Sequence, residues 1–166
     1  MKYFTPSEAV QLINSGESVY IQGSTSIPEV LCKALADRGD ELRDVTIYAA
    51  FAVGRCEAPF CRPEYKDSFN IKSLFVANNI RKWLAAGYGS TIPAFLGEIP
   101  GLFRDGTLPL DAVFLNVSQP NDEGYCSFGV SADLAVSAVE CAAKVIVQVN
   151  KAMPFSYGDA LIHVSR

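Results

Sequence analysis

An open, mostly parallel α/β sheet with helices on both faces is the fold this sequence predicts, and three features carry that expectation. Residues 45–51, 111–117 and 144–149 are almost continuously apolar, as strands covered on both faces should be. The stretches around them show helical spacing, several opened by capping residues, so strands and helices alternate. At 166 residues, 49 % hydrophobic and 19 % charged, the chain can bury one ordinary core and is short for two domains.

The elements follow in order. Thr5-Pro6-Ser7-Glu8 is a capping box with proline at the first helical position, so it opens a helix carrying Ala9, Val10, Leu12 and Ile13 inward and ending at Ser15-Gly16. A strand covers 18–22. A second capping box, Ser26 to Glu29, opens a helix with Val30, Leu31, Ala34 and Leu35 inward. After the strand at 45–51, residues 52–67 contain glycine and proline breakers and read as a long loop. A strand at 71–76 precedes a helix capped by Asn78 or Asn79, running to Ala86 and ended by Gly87. Residues 91–96 and 97–104 read as a short strand and a short helix. Residues 118–129 are a loop after the strand at 111–117, 131–141 a helix, and 161–164 a last apolar strand. No capping segment follows that strand, so an exposed edge is expected there, to be covered by more chain or by a partner.

Charge and cysteine content narrow the function. Fourteen basic against eighteen acidic residues give a net charge of −4, which disfavours a surface that neutralises a run of phosphates, so no nucleic-acid partner is expected. The longest apolar stretch, 45–54, is about half the ~18 residues of a spanning helix, and the first ten residues lack the apolar core of a signal peptide. The expectation is a soluble cytoplasmic chain with no membrane partner. Cys32, Cys56, Cys61, Cys126 and Cys141 form an odd set, which argues for free thiols. Cys56 and Cys61 lack zinc-ribbon spacing, and the single histidine, His163, is far away in sequence. No metal site is expected.

Three loops could hold chemistry. Gly23-Ser24-Thr25-Ser26 lies between a strand and a helix, where free backbone N–H groups at a helix start suit an anion or a thioester oxygen. It lacks a dinucleotide or Walker signature, and an ordinary turn reads equally well. Residues 116–129 leave the carboxyl end of a central strand, the edge where open α/β sheets bind ligands. Asp122, Glu123 and Cys126 there invite roles as base or nucleophile, but Asn-Asp-Glu-Gly is also ordinary turn chemistry. Asn150 and Asp159 follow the strand at 144–149 and fit a loop role better than a ligand role. His163 stands in an apolar strand as a satisfied core or interface histidine, and no nucleophile elbow is present.

The same loops carry a resemblance across essentially the whole chain. Gln-Gly-Ser-Thr-Ser-Ile-Pro-Glu-Val-Leu at 22–31, Phe-Arg-Asp-Gly-Thr-Leu-Pro-Leu-Asp at 103–111 and Gln-Val-Asn-Lys-Ala-Met-Pro at 148–154 contribute. Asp-Glu-Gly-Tyr-Cys-Ser-Phe-Gly-Val-Ser at 122–131 and Gly-Asp-Ala-Leu-Ile-His-Val-Ser at 158–165 are the specific blocks. The chain resembles the N-terminal domain of the acetyl-CoA hydrolase/transferase family, in particular its 4-hydroxybutyrate CoA-transferase branch. The resemblance implies acyl-CoA and a small carboxylate as substrates, no cofactor besides coenzyme A as substrate, and ping-pong chemistry through a glutamyl-CoA thioester. It places the glutamate in a C-terminal domain absent from this chain, so no catalytic residue is assigned here. It also implies a partner, the C-terminal domain or a second subunit, and a homo-oligomer. Gly23, Ser24, Thr25, Val53, Gly54, Ser118 and Glu123 are the expected substrate-facing positions, forming one wall of a cleft. Two other readings stay open: a catalytically inactive CoA-binding or assembly module, and an esterase or CoA hydrolase, which the single histidine disfavours.

Overall fold

The computed structural model describes residues 3–51 and 59–166. A six-stranded parallel sheet forms the centre. Its strands are β1 (Ser18–Ile21), β2 (Val45–Ala49), β3 (Phe69–Ser73), β4 (Gly89–Thr91), β5 (Ala112–Val117) and β7 (Lys144–Val149), in the spatial order β4-β3-β2-β1-β5-β7. A separate antiparallel pair joins β6 (Tyr125–Ser127) to β8 (Leu161–His163), with Cys126 opposite Ile162. The helices are α1 (Pro6–Ala9), α2 (Glu29–Ala36), α3 (Asn78–Ala85), α4 (Ile99–Arg104) and α5 (Ala135–Cys141).

Alternation along each strand splits the core into two layers. Val19, Ile21, Ile47, Ile71 and Phe114 face α1, α2 and α3 through Val10, Leu31, Leu35 and Ile80. Tyr20, Tyr48, Val113, Leu115 and Val117 face α4, α5 and the small sheet through Phe103, Ala135, Ala138 and Ile162. Helices therefore cover both faces, which is why β5 is apolar at nearly every position. The winding moves outward from β1 to β4, then reverses, with β5 returning to the other side of β1. The carboxyl ends of β1 and β5 flank that reversal, the place where a sheet of this kind opens a crevice.

Local boundaries differ from the sequence expectation for identifiable reasons. The Thr5 capping box forms, with the Glu8 N–H donating to Thr5 Oγ1 and the Thr5 N–H to Glu8 Oε2. After Ala9 the backbone tightens to a 3₁₀ turn, Val10–Leu12, whose three-residue period turns Val10 and Ile13 inward and leaves Leu12 exposed. The second capping box does not form. Pro28 has ψ 69° and the Glu29 N–H closes on the Ile27 carbonyl at 3.0 Å, so α2 starts at Glu29 and Val30 faces outward. The Val30 N–H is instead capped from β7 by Gln148 Oε1, at 3.2 Å. β3 ends at Ser73, whose hydroxyl donates to the Phe75 carbonyl and turns the chain. Ala77, not an asparagine, is the cap of α3. β4 starts at Gly89, two residues earlier than expected, and α4 at Ile99. α5 starts at Ala135 because Asp133 engages the Ser131 hydroxyl in a local turn.

The largest correction concerns edges. Residues 118–129 are not all loop, since they contain β6, and β8 pairs with it and buries Ile162. Among the described residues the sheet's outermost strands are the short β4 at one side and β7 at the other, each paired on one side only. The first residue of β7, Lys144, donates to both Glu17 carboxylate oxygens, at 2.6 and 2.7 Å, and to the Leu12 carbonyl. Burial alone would raise the Glu17 pKa, but the Lys144 and Asn14 hydrogen bonds outweigh it and the net shift is downward. A depressed carboxylate contributes its stability above the ordinary carboxylate pKa and loses it as pH falls through the folded value. Glu17→Gln should therefore cost about 1 kcal/mol at neutral pH and nothing once the carboxyl is protonated, a difference that urea midpoints measured across the acid range would show.

Among the described residues no helix is long and apolar enough to cross a membrane. Cys32, Cys126 and Cys141 are free thiols, and Cys56 lies outside the described residues.

Candidate functional site

The carboxyl ends of β1 and β5 are joined by one buried side chain, Gln22. Its Oε1 accepts the Asn116 N–H at 2.7 Å, and its Nε2 donates to the Ser131 carbonyl at 2.6 Å and reaches the Phe128 carbonyl at 3.4 Å. A glutamine is the neutral side chain that can accept from one neighbour while donating to others through a single planar group. It thereby fixes the 128–131 loop against the point where the sheet reverses.

The turn that follows is shaped by close backbone approach. Gly23 is buried, and a Cβ there would lie 3.0 Å from the Phe51 carbonyl oxygen at the end of β2. Ser24 adopts φ 56° and donates its N–H to that same carbonyl. A non-glycine residue held in left-handed backbone stores local strain, a feature that gathers at functional turns. Thr25 is exposed at the tip, Ser24 half-buried below it, and Ser26 Oγ is buried without a hydrogen-bond partner. The turn thus presents hydroxyls and backbone beside Phe51, and no carboxylate among the described residues bonds to it. Val53 and Gly54, expected on the same edge, lie outside the described residues.

Ser118 stands at the end of β5 but is buried. Its N–H donates to the Ser127 carbonyl, and its hydroxyl accepts the Ser127 N–H and donates to the Gln119 carbonyl, each at 2.9 Å. It builds the floor under this edge by fixing the end of β6.

Glu123 belongs to a different cluster. It is exposed at the tip of the β5–β6 connection, where Asn121 Oδ1 accepts the N–H groups of Glu123 and Tyr125. Gly124 there has φ 83°, and a Cβ would fall 2.8 Å from His163 Nε2. The glycine is thus required both by conformation and by the ring behind it. The Glu123 carbonyl meets His163 Nε2 at 3.2 Å, and His163 Nδ1 pairs with Ser165 Oγ at 2.7 Å. The histidine has partners on both nitrogens, matching the satisfied residue expected from sequence. The acidic Asp122-Glu123 pair is exposed turn chemistry. Cys126 is buried and its thiol is pushed up by burial, away from the thiolate a nucleophile needs. Asn150 Oδ1 accepts the Ala152 N–H at 2.9 Å, a loop-fixing role.

Two aromatic residues escaped sequence reasoning. Phe51 and Phe75 follow β2 and β3 on this edge, pack edge-to-face at 5.3 Å between centroids, and are each about half exposed. The available signal was an apolar residue placed two positions beyond each strand's end. Gln22 was legible as a lone polar residue closing an apolar strand.

Comparisons with known proteins agree on one family. Residues 1–166 match the acetyl-CoA hydrolase/transferase N-terminal domain. The 4-hydroxybutyrate coenzyme A transferase of Clostridium kluyveri is 35 % identical over 164 residues, covering 99 % of this chain and 38 % of that protein. The succinyl-CoA:acetate/propanoyl-CoA:succinate CoA transferase of Fasciola hepatica is 33 % identical over 160 residues, covering 95 % of this chain and 33 % of its own length. Among solved structures, RipA from Yersinia pestis superposes with TM-score 0.88 at 29 % identity, over 98 % of this chain and 40 % of RipA. The 4-hydroxybutyrate CoA-transferase of Porphyromonas gingivalis gives 0.77 at 32 % identity, over 98 % and 36 %. The chain spans between a third and two fifths of the length of these relatives, and it belongs to the acetyl-CoA hydrolase/transferase family as its N-terminal domain.

Proposed function

We propose that this domain supplies one wall of the active-site cleft of a cytoplasmic acyl-CoA:carboxylate CoA-transferase of the 4-hydroxybutyrate/acetate type. The reaction passes CoA from an acyl-CoA to a small free carboxylate by ping-pong chemistry through a glutamyl-CoA thioester. The glutamate belongs to the C-terminal domain of the complete enzyme, so this domain binds and positions while its partner reacts. Gly23, Ser24, Thr25, Val53 and Gly54 are the proposed substrate-facing positions. Ser118 acts from below by setting the shape of the edge, and Glu123 stands at the outer rim. Two copies or more of the complete enzyme assemble together.

The observation that carries this reading is the character of the Gly23–Ser26 turn: backbone, hydroxyls and half-exposed aromatics, with no carboxylate among the described residues hydrogen-bonded to it. Attack on a thioester needs an oriented carboxylate and donors for the oxygen that becomes negative. The described residues of the turn offer groups of the second kind.

The test uses a hybrid in which residues 1–166 replace the aligned segment of the Clostridium kluyveri relative. The hybrid is incubated with acetyl-CoA, quenched with borohydride to reduce an enzyme-bound thioester to the alcohol, and digested for peptide mass spectrometry. The modified glutamate is expected outside residues 1–166. Modification at Glu123, or at any other acid of this domain, would overturn the assignment.

A further inference from the structure

The edge of β7 has a built shape that the proposed cleft leaves unused. The Lys144 N–H donates to the Asp111 carbonyl and the Asn150 N–H to the Val117 carbonyl, so the even-numbered residues of β7 turn their backbone groups toward β5. By strand alternation, Val145, Val147 and Val149 turn their N–H and C=O groups outward, along the edge that no strand among the described residues pairs with. Three of the usual protections are missing from β7, which has no proline, no bulge and a single charge, Lys144, which Glu17 neutralises.

A cavity of about 540 Å³ runs along this edge. One wall comes from the N-terminal segment and α2, with Leu12 and Val30 exposed toward it. The other comes from the small sheet, through Cys126 and Ile162. Both faces beside the open edge are therefore apolar, so the occupant that fits is an extended strand with apolar side chains on both faces, not an amphipathic helix. Val164 and Arg166 also line the cavity.

We propose that the β7 edge is the docking site for a β-strand contributed by the C-terminal portion of the complete family member, which extends the parallel sheet to a seventh strand. The inference rests on the two-part reading of the enzyme given above. The relatives carry well over half their length beyond the region matched here, which supplies the polypeptide. The strand bonds to the N–H and C=O groups of Val145, Val147 and Val149 and fills the groove between Val30 and Ile162. This converts Leu12 and Val30, which a folding domain would be expected to bury, from exposed residues into core.

Hydrogen exchange read residue by residue, by mass spectrometry with electron-transfer fragmentation, tests this on the 166-residue chain and on the hybrid, with CoA-transfer activity measured in parallel. In the chain alone, the amides of Val145, Val147 and Val149 are expected to exchange fast while those of Ile146 and Gln148 are protected. In the hybrid all five should be protected, the outward three slowed by about a hundredfold or more. Val147→Pro, which removes an outward N–H and no existing sheet bond, should leave the chain alone folded and abolish that protection in the hybrid. An active hybrid whose outward amides stay fast overturns the inference and leaves the proposed function standing. Protection without activity supports the docked strand and removes the functional reading. Neither protection nor activity overturns both, and concentration-dependent protection in the chain alone overturns the inference by making the occupant a second copy.

Discussion

Replacing Gln22 by methionine is expected to lower stability by about 2–4 kcal/mol, seen as a fall of about 1–2 M in the urea midpoint. Methionine keeps the volume and flexibility of glutamine, so the loss is not one of packing. What it removes is the acceptor for the Asn116 N–H and the donor to the Ser131 and Phe128 carbonyls, all in a region shielded from water. A buried group left without its partner costs more than the bond itself contributed. Gln22→Glu is the informative companion, because its carboxylate could still accept from Asn116 but would face two carbonyl oxygens with nothing to donate. Both variants should loosen residues 128–131 and the Gly23 turn together, since one side chain ties them. If Gln22→Met unfolds at the parent midpoint, the clamp at the sheet reversal carries no stability.

The larger expected effect is on activity. The domain by itself should turn over acyl-CoA at least about 10⁴-fold more slowly than the hybrid enzyme, the scale of loss seen when a covalent nucleophile is removed. The described acids near the candidate edge support this. Glu123 is exposed, fixed through its backbone to Asn121 and His163, and shares no hydrogen bond with the Gly23–Thr25 turn. Asp111 is occupied at the opposite ends of β1 and β5, accepting the Ser18 N–H at 2.8 Å. Neither stands where a substrate thioester could meet it alongside the donors of the turn.

Much of this architecture was legible in the residues. The apolar run at Lys144–Val149 reads as a strand because it is covered on both sides, and its bounds are those expected. The Thr5-Glu8 box worked because its bonds are local, between residues three apart. The Ser26-Glu29 box failed because Ile27 is drawn into the core and Gln148, distant in sequence, provides the cap. β6 was hidden for a similar reason, as its three residues become a strand only through pairing with β8. Of the expected site, the Gly23 turn stands where the sheet reverses, and Ser118 lies near it but beneath the surface. That Glu123 bonds through its backbone to Asn121 and His163, and not to the Gly23 turn, was not legible in the sequence, since turn residues carry no mark of which neighbouring element they lean on. The unpaired β7 edge was equally invisible, because strand order, and so which strand is outermost, is decided by long-range pairing.

The most direct measurement incubates the purified 166-residue chain with acetyl-CoA and butyrate and follows butyryl-CoA by mass spectrometry, with the hybrid as the positive control. The expected result is butyryl-CoA from the hybrid and none above the uncatalysed background from the chain alone. Butyryl-CoA formed by the chain alone, and lost in Glu123→Gln, would contradict it by placing a working nucleophile inside this domain.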